Sequence, residues 1–532
     1  MEGTRVEILH SIKIWIMDPD APQILWLTGH AGLGKSAIAS TVCSRASEDP
    51  DIVLGGSFFC SRSAGSIAQR DVRCIVPTLA QLLALKSPEF GKALAGELAR
   101  DPDVLNKQIA KQVELLLQKP LLALKDSSVQ VLFVIDALDE CGGPLNTNGT
   151  LDNLDGHRIV TAMLESLAAF SRSPVPLPVK FLVTSRPGTD DRGQPVSETA
   201  FCKVIQLHAV EPRQVTKDIR LSVSTQLSST PTLRSWFTVE DADALARLCD
   251  GQFLVATTAL QYTFGAGMYR APQRYKTMLE TFPDSTGTGT VEPLDHMYAL
   301  VMDDAATSCE PEVDELPVML NALVALLTAR MTLSISALAD LLEMTREDLR
   351  ASLSRLYAVV HIPESDDDPS LRAFHSSFGD YLLERADDRY RINLSLGDAT
   401  LASGCLQVMA KQLHFNVSQS RSSYELNMPG RPDSITLALE YACLHWVYHI
   451  AQLSAPPSVP DEKSSSRFRQ RFLSFIPRTP RLPKSRLDEM VGEIFRPRLL
   501  FWLEVMSILG QIRRAAAILV FAAGTVCHLF FL

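Results

Sequence analysis

The octapeptide Gly29-His30-Ala31-Gly32-Leu33-Gly34-Lys35-Ser36 constrains the fold more than any other feature of the 532-residue chain. It has the form G-x-x-x-x-G-K-[ST], and its flanks suit that form. Before it, Ile24-Leu25-Trp26-Leu27-Thr28 reads as a buried strand; after it, Ala37-Ile38-Ala39-Ser40-Thr41-Val42 reads as a helix. Glycines here let backbone N–H groups curl round a polyphosphate, and the helix N-terminus adds the positive end of its dipole. Lys35 is the candidate cation for two adjacent phosphates and Ser36 a candidate Mg²⁺ ligand, within a cradle running from Gly29 to Ala37.

Such a loop needs an acidic partner. Val131-Leu132-Phe133-Val134-Ile135 is apolar and β-branched, as a strand buried on both faces must be, and it ends in Asp136-Ala137-Leu138-Asp139-Glu140. Asp136 is placed to bind Mg²⁺, directly or through water. Asp139 and Glu140 are placed to orient or deprotonate an attacking water, although acids in this position also cap helices. A third strand, Val179-Lys180-Phe181-Leu182-Val183, ends in Thr184-Ser185-Arg186-Pro187. Ligands of parallel sheets lie outside the carboxyl ends of the strands, so Arg186 is a candidate sensor of a terminal phosphate; the alternative is a surface arginine.

Taken together, the Trp26–Ser36 stretch, Asp136-Ala137-Leu138-Asp139-Glu140-Cys141 and Thr184-Ser185-Arg186-Pro187 resemble the NACHT domains of STAND-type signalling NTPases. The likeness is above all to the fungal NOD-like group with a nephrocystin-like N-terminal region. It extends through Gly55-Gly56-Ser57-Phe58-Phe59 and Gly251-Gln252-Phe253-Leu254 to Phe374-His375-Ser376-Ser377-Phe378-Gly379-Asp380-Tyr381-Leu382, covering roughly residues 3 to 450. The resemblance implies ATP or ADP as ligand, with GTP an alternative, and Mg²⁺ as cofactor. It also implies that His375 reaches from a winged helix to the β-phosphate of ADP, locking a closed state.

Ten cysteines stand singly, with no C-x-x-C, which suits reduced thiols in a cytosolic protein. A formal charge of −10 argues against a dedicated nucleic-acid binder. Residues 515–532 are almost wholly apolar after Arg513-Arg514, so a tail anchor in a membrane competes with a packing helix.

The expected organisation is multidomain: an α/β P-loop NTPase domain with a parallel sheet and helices on both faces, then helical and winged-helix domains. A lead-in helix occupies residues 1–22, the nucleotide-binding domain 23–210, a small helical domain 211–290 and a winged helix 291–392. Strands are expected near 24–28, 55–60, 129–136, 179–185 and 202–208. The winged helix carries an acidic turn, Glu364-Ser365-Asp366-Asp367-Asp368-Pro369, which disfavours DNA. A helical domain follows at 393–453, a disordered linker at 454–486, a helix at 487–514 and the apolar tail at 515–532.

Three functions compete on this evidence. A nucleotide-dependent switch would hydrolyse slowly, self-associate in its triphosphate state and act on a protein effector; by resemblance it would serve non-self recognition or cell death. An efficient NTPase would need an arginine finger that the sequence does not reveal. A tail-anchored membrane protein would use the nucleotide domain secondarily.

Overall fold

The computed structural model describes residues 3–62, 67–124, 129–141, 156–168, 170, 177–187, 202–228, 237–265, 267–282, 292–307, 315–419, 422, 432–454 and 484–525. The chain divides into two compact units, the first ending at Met297 and the second beginning at Tyr298.

The first unit is built on β1 (Ile24–Thr28), β2 (Ile52–Phe59), β3 (Gln130–Asp136), β4 (Val179–Ser185) and β5 (Cys202–Gln206). All neighbours pair in parallel, in the order β2-β3-β4-β1-β5. Side chains alternate between two apolar cores. Trp26, Phe133, Ile135 and Phe181 face one, filled from beyond the sheet by Ile75, Leu79, Phe90 and Met163. Leu25, Leu27, Leu132, Val134 and Leu182 face the other, filled by α1 (Val6–Met17) and α2 (Lys35–Glu48). Double burial explains why these strands read as continuous apolar runs. The chain crosses over β1 in passing from β4 to β5, so strand order reverses at β1, where parallel sheets commonly receive ligands.

Helices Pro212–Ser228, Val239–Leu248, Phe253–Phe264 and Ala271–Thr281 follow, and a capping box between Thr238 and Asp241 starts the second of them. In β2 the strand begins at Ile52, earlier than the expected 55, and a register shift between Leu54 and Gly56 falls at the glycine pair.

In the second unit, helices Glu315–Thr328, Ile335–Leu342 and Arg346–Ser354 precede a short hairpin in which Val360–His361 pairs antiparallel with Arg372–Ala373. A bridge between Leu333 and Leu371 widens it. The acidic turn at its tip folds back on the helices: Arg350 Nε donates to Asp366 Oδ1 at 2.8 Å, and Ser336 N–H to the Asp366 carbonyl at 2.9 Å.

Helices Leu394–Gln412, Leu437–Ser454, Lys484–Ile508 and Ile512–Thr525 complete this unit. A polar chain runs through its core. Arg330 N–H donates to Tyr441 Oη (3.2 Å), which leaves the phenol to donate to His449 Nε2 (2.8 Å) and His449 Nδ1–H to donate to Asp398 Oδ1 (2.7 Å). Burial holds the imidazole below its usual pKa, against the pull of Asp398.

In the C-terminal region the described helices differ from the expected ones. The helix expected over 487–514 runs from Lys484 and stops at Ile508, because Gly510 adopts φ +68° and the N–H groups of Leu509, Gly510 and Gln511 cap the preceding carbonyls. The segment read as a candidate membrane anchor starts inside a second helix, Ile512–Thr525, of 14 residues. Arg514 there donates to the Leu444 carbonyl, and Ala515, Ile518 and Ala522 are buried. Among the described residues no helix is long and apolar enough to cross a membrane. Residues 526–532 of that segment and most of the expected linker (455–483) lie outside the described residues.

Candidate functional site

The loop Gly29–Ser36 stands at the carboxyl end of β1. Gly32 (φ +81°) and Gly34 (φ +90°) take the left-handed backbone that glycine alone adopts without strain, turning the loop into α2. A Cβ on Gly32 would lie 2.8 Å from Leu254 Cβ, and Leu254 N–H donates to the Gly32 carbonyl at 3.2 Å. The loop is thus pressed against the helix Phe253–Phe264.

Lys35 folds back over the loop, its Nζ donating to the carbonyls of Gly29 (2.6 Å) and His30 (2.9 Å). Burial lowers its pKa, opposed chiefly by the nearby Asp139 carboxylate. The His30 and His208 rings lie 5.5 Å apart.

Asp136 ends β3 as expected. Its carboxylate accepts a hydrogen bond from Thr184 Oγ1 at 2.6 Å and is hydrogen-bonded to the Ser36 side chain. Burial raises its pKa, and those two hydrogen bonds oppose the rise. The two residues read as metal ligands therefore meet, one hydroxyl and one carboxylate. That donor set suits Mg²⁺, which completes its octahedron from phosphates and water. Among the described residues no group of three or more His, Cys, Asp or Glu could hold a metal, so an ion here depends on such additional ligands.

Ala137 follows at φ +51°, and its N–H donates to the same Thr184 oxygen at 2.9 Å. This left-handed step throws the next turn, Leu138–Glu140, across the mouth of β4. There Asp139 Oδ1 accepts from the Arg186 N–H at 3.0 Å, and Arg186 Nε approaches Asp139 Oδ2 at 3.3 Å. Glu140 Oε2 accepts from Arg62 N–H at 3.0 Å, and Arg62 Nη2 donates to the Asp139 carbonyl at 3.1 Å. Lys35, Asp136, Asp139, Glu140 and Arg186 are thus brought together, as their places at strand ends implied.

His375 belongs to the second unit. Its Nδ1 accepts from Ser377 N–H at 3.1 Å and lies 2.7 Å from Ser377 Oγ, capping the helix Ser376–Asp380.

Sequence reasoning missed the roles of five residues around the loop. Thr184 joins Asp136 to Ala137, and Arg62 holds the acidic turn. Arg5, almost wholly buried, donates through Nη2 to the Leu33 carbonyl (3.0 Å) and through its backbone N–H to Asp218 (3.0 Å); its guanidinium lies 5.1 Å from the Phe253 ring centre. Burial lowers its pKa and Asp218 opposes this. Cys60 meets Cys141, Sγ to Sγ, at 3.0 Å, so two of the singly spaced cysteines are a pair in space. No spacing rule marks Arg5, Arg62 or the thiols, because each contact joins segments remote in sequence.

Residues 3–186 match the family described as Nephrocystin 3, N-terminal. This span begins just before Arg5 and ends at Arg186, enclosing the loop and both acidic and basic strand ends. No curated protein matches. Among solved structures, a STAND protein with a tetratricopeptide repeat sensor from Pyrococcus horikoshii aligns at 11% identity and a TM-score of 0.40, over 98% of this chain and 58% of its own. The chain therefore spans 58% of the length of that protein. Drosophila ORC bound to DNA aligns at 12% identity and a TM-score of 0.27, over 73% of this chain and 97% of its own. Drosophila ORC bound to GC-rich DNA and Cdc6 aligns at 10% identity and a TM-score of 0.22, over 92% and 69%. Similarity of this degree does not define a common fold.

Proposed function

We propose that the first unit binds a nucleoside triphosphate or diphosphate with Mg²⁺, and that the chain is a STAND-type switch that hydrolyses its nucleotide slowly. The observation that carries the reading is the meeting of Ser36, Asp136 and Thr184 beside a loop that presents Lys35 at the carboxyl end of β1. Gly29 to Ala37 would receive the phosphates, and Ser36 and Asp136 would hold Mg²⁺. Asp139 and Glu140 would orient water, and Arg186, now paired with Asp139, would exchange that partner for a terminal phosphate. Bound Mg²⁺ would neutralise charge on the phosphates; Lys35 would meet them as a second cation, released from its two carbonyls.

The finer parts of the reading are the following. Residues 23–210 form a NACHT domain of the fungal type, and 291–392 a winged helix whose His375 contacts ADP. Adenine is the favoured base, with GTP an alternative; the triphosphate form self-associates and signals to a protein effector in the cytoplasm. Nucleic acid is not a partner, in keeping with the acidic charge and with an acidic hairpin tip tied to Arg350.

Titration calorimetry with Mg-ATP and with ADP tests the site. Lys35→Ala should weaken both by about a hundredfold or more, the loss of a charge-assisted contact of about 3 kcal/mol. Equal affinity in the variant and the unaltered chain would remove the assignment.

A further inference from the structure

Cys60 and Cys141 stand 81 residues apart in sequence, yet their sulfurs lie 3.0 Å apart, both thiols free and both buried. Cys60 directly follows β2, and its N–H donates to the Asp136 carbonyl at 3.0 Å. Cys141 directly follows the turn bearing Asp139 and Glu140, and its thiol lies 3.8 Å from the Gln69 carbonyl. Two residues beyond Cys60, the Arg62 N–H holds Glu140. The sulfur pair therefore lies on the short path that joins the end of β2 to the acidic turn.

We propose that Cys60 and Cys141 form a covalent modification site: a mild peroxide oxidant closes them into a cystine that fixes the acidic turn against the end of β2. One thiolate attacks the peroxide O–O bond, giving a sulfenic acid and expelling hydroxide, which leaves as water on taking up a proton. The second thiol then displaces the sulfenic oxygen as a further water and forms the S–S bond. Two thiols and one peroxide become one cystine and two waters, and two electrons pass from sulfur to oxygen.

Burial sets the rate. Both sulfurs lie beneath the surface, so the turn must open locally before either meets the oxidant. Cys74, half-buried and electrostatically coupled to Cys141, is the competing thiol. Forming the bond draws the sulfurs from 3.0 Å to about 2.05 Å, moving the turn by up to about 1 Å. On the nucleotide reading above, a displacement of that size costs up to about a hundredfold in turnover. Affinity, carried by the loop at 29–36, should change little.

The test treats the whole chain with hydrogen peroxide, maps unreduced peptides by mass spectrometry, and follows amide exchange over residues 137–141 and nucleotide turnover. Expected are a Cys60–Cys141 cross-linked peptide, slower exchange at 137–141 and a ten- to hundredfold fall in turnover, all reversed by dithiothreitol and all lost in Cys60→Ser. Recovery of both cysteines singly alkylated, or of a Cys74–Cys141 peptide in their place, would overturn the site. A fully cross-linked chain with unchanged exchange at 137–141 would overturn its grip on the turn. Because mapping and exchange are read on the unaltered chain, they decide the pair even where reduced protein hydrolyses no nucleotide, a result that counts against the nucleotide reading alone.

Discussion

Gly32→Ala separates two costs that the structure places on one atom. At φ +81° a side chain brings backbone strain of about 1–2 kcal/mol. The new Cβ would also lie 2.8 Å from Leu254 Cβ, and relieving that overlap by shifting the loop costs about 1–3 kcal/mol more. Together the loss is about 2–5 kcal/mol, and the hydrogen bond from Leu254 N–H to the Gly32 carbonyl weakens with it. Leu254→Gly removes the opposing atom while leaving the strain. Leu254 sits in the first turn of the helix Phe253–Phe264, where glycine costs about 1 kcal/mol or less in helix propensity. In the double variant the overlap should vanish, giving a favourable coupling of about 1–3 kcal/mol between the two sites. Urea unfolding of all four proteins, read by amide exchange in peptides from β1 and α2, measures this. Losses that add to within about 0.5 kcal/mol would refute the argument that the phosphate loop is packed directly on this helix.

Asp136→Asn should weaken Mg²⁺-dependent nucleotide binding, whereas Glu140→Gln should keep binding and slow turnover; calorimetry with and without Mg²⁺, and phosphate release, distinguish them. His375→Ala should weaken ADP binding by roughly ten- to a hundredfold and ATP binding much less, with a larger hydrodynamic radius in ADP. His375→Asn, which retains a helix-capping acceptor, separates that loss from simple fraying of the helix Ser376–Asp380; equal losses for both nucleotides would point to folding. Lys180, held by the carbonyls of Asp18 and Ala21, has its pKa pulled by burial to about 8. Between pH 8 and its unfolded value the folded chain binds fewer protons, so stability should rise with pH by up to about 3 kcal/mol. Lys180→Met should flatten that rise in urea midpoints; parallel pH profiles for the two proteins would contradict it.

The strands that carry the site were legible because β1, β3 and β4 are buried on both faces, and such burial forces apolar runs ending in polar residues. The helix Val6–Met17 lies within the lead-in expected over residues 1–22. Legibility failed where the signal was tertiary. Nothing in the order of residues pairs Cys60 with Cys141, or sends Arg5 under Leu33. Nor does the order of residues announce the left-handed φ of Ala137 at the exit of β3. Near the C-terminus, apolar composition alone could not distinguish a membrane segment from a packed helix. Among the described residues, what composition does not announce is Gly510, which ends one helix so that a second can start at Ile512 and bury Ala515.

In the chain from Arg330 through Tyr441 and His449 to Asp398, every donor points the same way, and the imidazole is fixed as the Nδ1–H tautomer. The proton between His449 and Asp398 is sealed from water, since His449 is wholly buried. It exchanges only when the helices Leu394–Gln412 and Leu437–Ser454 part. In proton magnetic resonance that one nucleus becomes a private signal for the second unit. Its line, shifted far downfield by the short bond to a carboxylate, dates the melting of that unit separately from anything that happens around the phosphate loop.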